Sequence, residues 1–163
     1  MAVTNGSIKS KHSIGRVDEG WGIRVDWEQL DNSYNIKATV YFEFRQTWSN
    51  LHINNDRTGT LTVDGVVESF TMSAGNYPAG KRDLKLGEYT FSIGSAKTIN
   101  ISVSFPIAWT LRGYWVTNFN ASGKATLKSI MSRPNNPTDV NLSLNETTLN
   151  LSWNHTATQD KPV

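Results

Sequence analysis

The chain of 163 residues lacks cysteine, carries few charges and contains no long apolar run. Without cysteine, neither a disulfide framework nor a Cys-based zinc site can form. No run approaches the ~20 apolar residues of a membrane helix, so we expect no membrane insertion. The net charge of +2 is too small for a protein that binds nucleic-acid phosphates, so we expect no nucleic-acid partner.

Hydroxyl and amide side chains are abundant instead, since Ser, Thr and Asn make up about 30% of the sequence. Aromatic residues at 10% and apolar residues at 37% exclude a disordered chain. Residues 1–7 contain no basic segment followed by an apolar stretch, so we expect no secretory signal. The composition indicates an all-β module whose faces are covered by hydroxyls and amides.

Apolar residues alternate with polar ones over residues 21–27 and again over 34–44, which predicts two strands with one buried face. Turn residues between the two runs predict a hairpin. The buried set lies on odd numbers in the first strand and on even numbers in the second. A register that puts both sets on one face therefore places Lys37 opposite Asp26 or Glu28.

Further strands are predicted from the same pattern, and no helix is. Asp64-Gly65 is a strong two-residue hairpin signal, whereas the glycines and proline of residues 73–83 predict a loop. The remaining predicted strands are 60–63, 66–70, 84–93 (interrupted near Gly87), 99–105 and 116–127. Short, regularly spaced strands predict an antiparallel, jelly-roll-like β-sandwich over residues 1–131, with the strand order left open.

The composition changes at residues 132–138, where two prolines and two asparagines predict a stiff linker. Residues 139–163 alternate as two short strands joined near 145–148. About 25 residues cannot bury a core of their own, so we expect this segment to be the start of a truncated module. It resembles the opening of a fibronectin type III domain, on Pro134-x-x-Pro137 and Leu149-Asn150-Leu151-Ser152-Trp153.

Two upstream segments carry a second resemblance: the Gly-x-x-Lys-x-Ile-x-Ile strand of residues 94–105 and the Ser-Gly-x-Ala-x-Leu strand of 121–130. With the Arg-Pro linker that follows, they resemble a structural-protein family of tailed phages that infect Gram-positive bacteria. The resemblance implies a virion tail, baseplate or fibre component, made in the host cytoplasm and contacting other tail proteins. It also implies contact with bacterial cell-wall polysaccharide and a homo-oligomer, and it carries no catalytic residue and no cofactor.

Asp26 and Glu28 share one strand face, and carboxylates about 7 Å apart can frame a glycosidase site. The alternative is a solvated face on which Lys37, Arg24 and Arg45 are their partners, and we favour it. A hydrolase would require a cleft that holds both carboxylates between aromatic walls. The three scattered histidines have no zinc-like spacing, so we predict no metal site and surface positions for all three.

The six tryptophans fall into two groups. Three lie on apolar strand faces and are predicted to be core residues: Trp21, Trp27 and Trp153. Four aromatic residues near loops are weak candidates for a glycan or subunit contact: Trp48, Trp109, Tyr114 and Trp115. The sequence thus favours a non-catalytic virion component that acts in structure and host attachment. The alternative is a carbohydrate-binding module for cell-wall glycan, which needs at least two of those four rings exposed on one surface.

Overall fold

A computed structural model describes residues 4–13, 20–30, 33–47, 49–94, 98–111, 114–129, 138–145 and 148–154. The side chains of 11–13, 109–111, 114–117, 138–145 and 148–154 lie outside this description. The chain divides into two compact units, Met1–Lys128 and Ser129–Val163. Each unit is built from antiparallel strands.

The first unit contains ten strands and, among its described residues, no helix. Their bounds are β1 Asn5–Ser13, β2 Gly20–Gln29, β3 Asn35–Gln46, β4 Leu51–Ile53, β5 Arg57–Val63, β6 Val66–Met72, β7 Gly75–Tyr77, β8 Gly80–Ser92, β9 Thr98–Leu111 and β10 Tyr114–Thr126.

Eight of these strands form two four-stranded sheets with the orders β1-β2-β3-β8 and β10-β9-β5-β6. The hairpin β5-β6 lies in the second sheet, although it comes between β3 and β8 in the chain, which are neighbours in the first. The short strands β4 and β7 pair separately, on the connections between the sheets. The predicted antiparallel β-sandwich is therefore confirmed, and the structure supplies the strand order.

The core lies between the two sheets and follows the predicted alternation. Trp21 to Trp27 are buried at odd positions of β2, and Ile36 to Phe44 at even positions of β3. The second sheet contributes the inward residues of β5, β6, β9 and β10, among them Leu61, Phe105 and Phe119. Burial of this continuous apolar layer is the main favourable contribution to folding.

The register of the first hairpin is the one that the parity of its apolar residues requires. Trp27 pairs with Ala38, and Glu28 pairs with Lys37. A one-residue slip would turn either apolar set towards water. The prediction that Lys37 lies opposite Asp26 or Glu28 is confirmed, with Glu28 as the partner.

The Asp64-Gly65 hairpin is also confirmed, since Val63 pairs with Val66 across a two-residue turn. Both turn residues have positive φ, 48° at Asp64 and 86° at Gly65. This is the backbone of a type I′ turn, whose twist matches that of the flanking strands. Aspartate tolerates the first position, and glycine removes the steric cost at the second.

The structure departs from the predicted strand pattern in two places. Residues 73–83 are not one loop, because they contain β7 and the first residues of β8. Strand β1 was not predicted, because Ile8 is its only aliphatic residue in a run of polar ones. It is the outer strand of its sheet, a position that tolerates polar residues and lysine. The interruption expected near Gly87 is present as a register shift, since Val40 pairs with Gly87 and Tyr41 with Lys85.

The second unit contains β11 Thr138–Asn145 and β12 Thr148–Asn154, which form an antiparallel hairpin. Leu142 pairs with Leu151, and Leu144 with Leu149. The two strands and their connection near 145–148 are as predicted. Residues 132–137 of the expected linker lie outside the described residues, and its last residue, Thr138, begins β11.

Candidate functional site

The outward side of the first sheet carries a dense set of ionisable groups, which we call the charged face. Alternation along β2, β3 and β8 fixes its membership, because the other set of residues is buried in β2 and β3 and at least partly buried in β8. Its charged residues with described ion pairs are Arg24, Asp26, Glu28, Lys37, Glu43, Arg45, Asp83, Lys85 and Glu88.

Arg24 lies at the centre of the charged face and contacts three carboxylates. Its Nε lies 3.0 Å from Asp26 Oδ1, its Nη1 2.6 Å from Glu43 Oε1 and its Nη2 3.0 Å from Asp83 Oδ2. The guanidinium also lies 4.8 Å from the centre of the Tyr41 ring. This rigid fork of donors holds side chains of three strands, β2, β3 and β8, in one arrangement.

Smaller ion pairs extend the network on both sides of Arg24. Lys37 pairs with Glu28 across the β2-β3 hairpin, and Arg45 pairs with Asp83. Lys85 Nζ lies 2.9 Å from Glu88 Oε2. Each of the five carboxylates on the described part of this face thus has a cationic partner.

These contacts favour the ionised form of two carboxylates, Asp83 and Glu88. Partial burial by itself raises the pKa of Asp83, but hydrogen bonds and positive charge from Arg45 and Arg24 outweigh it and lower that pKa. The hydrogen bond from Lys85 lowers the pKa of Glu88. On the basic side, the hydrogen bond to Glu28 raises the pKa of Lys37.

A shallow groove of about 560 Å³ runs over the β1 side of the charged face. Trp27 forms part of its wall next to Gly6, where a Cβ atom would come within 2.9 Å of the indole. The other lining residues are Asn5, Ser7, Asp26, Glu28, Lys37, Thr39, Tyr41 and Glu88. Thr39 is buried in the groove floor and donates a hydrogen bond to Glu88 Oε2 at 3.2 Å.

The groove therefore brings Asp26 and Glu28 together, but with cations in contact. Arg24 binds the first and Lys37 the second, as the favoured alternative predicted, whereas the third expected partner, Arg45, binds Asp83 instead. A general acid needs a carboxyl that stays protonated near neutral pH, which requires desolvation or a like charge. An ion pair with a cation favours the ionised carboxylate instead. This arrangement therefore suits hydrogen bonding and ionic contact.

The outward side of the second sheet differs completely in chemistry, and we call it the hydroxyl face. Its described strand residues include no carboxylate. Its two charged groups lie near the margin beside Asn100: Lys124 pairs with Asn100, and Asp64, in the β5-β6 turn, donates its main-chain N–H to the Asn100 carbonyl. Its other outward side chains are Thr58, Thr60, Thr62, Val67, Ser69, Thr71, Thr98, Asn100, Ser102, Ser104, Pro106, Asn118, Asn120, Ser122 and Thr126.

Strand pairing arranges these side chains in rows across the sheet. One row is Ser69, Thr60, Ser104 and Asn120, and the next is Val67, Thr62, Ser102 and Ser122. Neighbours within a row are ~4.8 Å apart, and successive rows are ~6.8 Å apart. A depression of about 310 Å³ lies over the β5, β9 and β10 parts of both rows.

The predicted glycan or subunit contact of Trp48, Trp109, Tyr114 and Trp115 stays a prediction, because their side chains lie outside the described residues. Trp48 lies outside the described residues. Trp109 lies in β9, and Tyr114 and Trp115 lie in β10, where Tyr114 pairs with Leu111. All three are thus close to the tip of one hairpin, but their side chains are outside the description.

Other predictions concern single residues. Trp21 and Trp27 are core residues as predicted, with 4% and 8% of their surface exposed, whereas the side chain of Trp153 is outside the description. His52 is exposed, as expected. The side chain of His12 and all of His155 lie outside the described residues.

The groove residues Thr39, Tyr41 and Glu88 were not predicted as site residues. Tyr41 could have been predicted, since it is an aromatic residue on the polar side of the β3 alternation. Glu88 could not have been predicted, because the register shift in β8 decides which residues of that strand face outward.

No group of three or more His, Cys, Asp or Glu side chains could hold a metal ion within the described ranges. In the same ranges, no helix has the length and apolar character to cross a bilayer.

Comparisons with protein-family models, with curated proteins and with solved structures find no match to this chain. The candidate site therefore rests on its own geometry.

Proposed function

We propose that this chain is a non-catalytic virion component of a phage tail, baseplate or fibre, acting in structure and host-surface attachment. The single observation that carries the non-catalytic part is the pairing of all five described carboxylates on the charged face with Arg or Lys. The tail assignment rests on the sequence resemblance of residues 94–105 and 121–130, and the sandwich fold agrees with it.

In this proposal the charged face contacts a neighbouring tail protein. Arg24 holds side chains from three strands in place before any contact forms. A surface that is ordered in advance loses little side-chain entropy on binding, and charge complementarity fixes the register of the partner.

Particle incorporation tests the proposal. Cells that encode the chain would produce particles with the natural chain or with Arg24→Ala, and the amount of chain in gradient-purified particles would be measured by mass spectrometry. We expect at least a five-fold loss with Arg24→Ala, because three carboxylates lose their shared partner.

The matched control is Ser102→Ala on the hydroxyl face, which should be incorporated normally. Thermal unfolding of both purified variants separates a contact defect from a folding defect. Absence of the natural chain from purified particles would refute the proposal.

The second candidate function is recognition of bacterial cell-wall glycan. The observation that favours it is a shallow depression on each outward sheet face, lined by hydroxyl, amide and carboxylate groups. Such groups hydrogen-bond sugar hydroxyls. Co-sedimentation of the purified chain with cell walls tests this candidate, and a chain that stays in the supernatant would refute it.

A further inference from the structure

The hydroxyl face is an ordered array of side chains with unused hydrogen-bonding capacity. The hydroxyls of Thr58 and Thr71 bond to each other, with their oxygens 3.2 Å apart. In the described part of the chain, the four hydroxyls that β5 and β9 contribute to the two rows have no such protein partner: Thr60, Thr62, Ser102 and Ser104. The charged face differs, because its carboxylates and cations already bind one another.

The charge of the hydroxyl face restricts the class of ligand. Its described strand residues include no carboxylate, and Asp64 and Lys124, of opposite charge, both lie at its margin beside Asn100, so the face offers little to a cationic ligand or to an anionic polymer. Every hydroxyl and amide group can both donate and accept. The chemistry therefore matches an uncharged molecule that carries many hydroxyls.

The size of the face distinguishes a narrow ligand from a second copy of the chain. Three rows cross all four strands and two more cross only β9 and β10. With strands ~4.8 Å apart and rows ~6.8 Å apart, their flat outline covers on the order of 500 Å². A standard protein interface buries about 800 Å² per partner. The outline is smaller than this area, which favours a single extended polymer strand over a second copy as the occupant.

We infer that the hydroxyl face binds a neutral polysaccharide strand, lying over Thr60, Thr62, Ser102, Ser104, Asn120 and Ser122. This inference rests on the glycan-recognition candidate above and deepens it by naming the surface and the ligand class. It places the binding surface on the opposite sheet from the charged groove.

Affinity electrophoresis tests the inference with two groups of probes. The neutral probes are a β-glucan, a mannan and a galactan, and the anionic probe is poly(glycerol phosphate). We expect at least one neutral polymer to retard the natural chain and poly(glycerol phosphate) to leave its mobility unchanged. Retardation by the anionic polymer alone would overturn the inference.

The double variant Thr60→Ala/Ser104→Ala removes two hydroxyls from one row, and Thr90→Ala/Ser92→Ala removes two exposed hydroxyls from β8, in the first sheet. We expect at least a five-fold weaker retardation for the first pair and no change for the second. Equal retardation of the natural chain and the first pair would overturn the inference. The side chains at all four substituted positions are exposed, so truncating them leaves the core packing intact.

Two further outcomes separate this inference from the glycan-recognition candidate. If purified cell walls bind the natural chain and the Thr60→Ala/Ser104→Ala variant equally, the hydroxyl face is not the site, while glycan recognition stands. If no wall and no polymer binds, both fail. A dimer in analytical ultracentrifugation that the Thr60→Ala/Ser104→Ala variant abolishes would show a second copy on this face and would also overturn the inference.

Discussion

Phe42 lies at the centre of the core, where both sheets contribute aromatic rings. Its ring centre is 6.4 Å from that of Trp21 in the same sheet, and 6.0 Å and 6.3 Å from those of Phe105 and Phe119 in the other. These separations lie in the range favoured for tilted and edge-on aromatic pairs. Phe42 therefore joins the two sheets as well as filling space between them.

We predict that Phe42→Ala lowers the free energy of unfolding by about 3–5 kcal/mol, because it leaves a cavity between the sheets. Urea unfolding followed by tryptophan fluorescence measures the loss. Thr90→Ala, at an exposed position of β8, should change the stability by less than about 0.5 kcal/mol. A loss of less than about 1 kcal/mol for Phe42→Ala would contradict the packing described.

Asp83 makes the charged face sensitive to acid. Although partial burial opposes it, contact with Arg45 and Arg24 lowers the pKa of this carboxyl. A carboxyl with a lowered folded-state pKa stabilises the fold above its ordinary pKa of about 4, and the stabilisation is lost as the pH falls through the lowered value.

We therefore expect the free energy of unfolding to fall as the pH is lowered below about 4, and to fall less steeply in Asp83→Asn. Urea unfolding at pH 7, 5 and 3 measures both slopes. Identical slopes for the natural chain and Asp83→Asn would show that the pair with Arg24 and Arg45 contributes nothing to acid sensitivity.

At the scale of elements, the β5-β6 hairpin depends on its turn. Gly65 has a φ of 86°, and an L-residue with a side chain pays a steric cost there of about 1–2 kcal/mol. We predict that Gly65→Ala destabilises the chain by that amount in urea unfolding. Val66→Ala, at the exposed neighbouring position, should have a much smaller effect, and a neutral Gly65→Ala would contradict the turn geometry.

The end of β2 is tied to the last residue of the first unit by one buried side chain. Gln29 Nε2 donates to the carbonyl of Lys128 at 2.9 Å, and the Lys128 N–H donates to Gln29 Oε1 at 2.8 Å. The same amide donates to the Ser33 carbonyl at 3.1 Å. Gln29 thus fixes main-chain groups on two segments that are far apart in sequence.

We predict that Gln29→Ala costs about 1–3 kcal/mol, because it removes partners from partly buried main-chain groups, and that it speeds hydrogen exchange at the Lys128 amide. Lys128→Ala is the control, because it keeps the main-chain groups that Gln29 binds. Unchanged exchange at residue 128 in Gln29→Ala would argue against this contact.

Elements with a strict alternation could be predicted from the sequence, and others could not. The period of two in β2 and β3 determines strand, face and register together, because any other register exposes apolar residues. Strand β1 has no such period, and only its neighbour β2 shows that it is a strand. In residues 73–83 the glycines and proline indicated a loop, but pairing with β4 and β3 makes parts of the segment strands.

The candidate site was only partly predictable for a related reason. Asp26, Glu28, Lys37, Arg24 and Arg45 share one hairpin, so local register brings them together. The partners Asp83 and Glu88 come from β8, and its position beside β3 depends on a long connection that no local pattern specifies.

At the scale of the whole molecule, the sandwich separates two kinds of surface. The core joins the sheets and leaves their outward sides free. One side is a network of ion pairs, and the other is a nearly uncharged array of hydroxyls and amides. We propose that the first contacts a tail protein and the second a neutral glycan, so that one small fold links the particle to the host surface.

The location of the chain tests the central claim most directly. Immunogold electron microscopy would use antibodies raised against residues 1–128 and particles purified from cells that encode the chain. The account predicts gold particles at a fixed position on the tail, baseplate or fibre. Purified particles without label, with the chain recovered only from the particle-free fraction of the lysate, would contradict it.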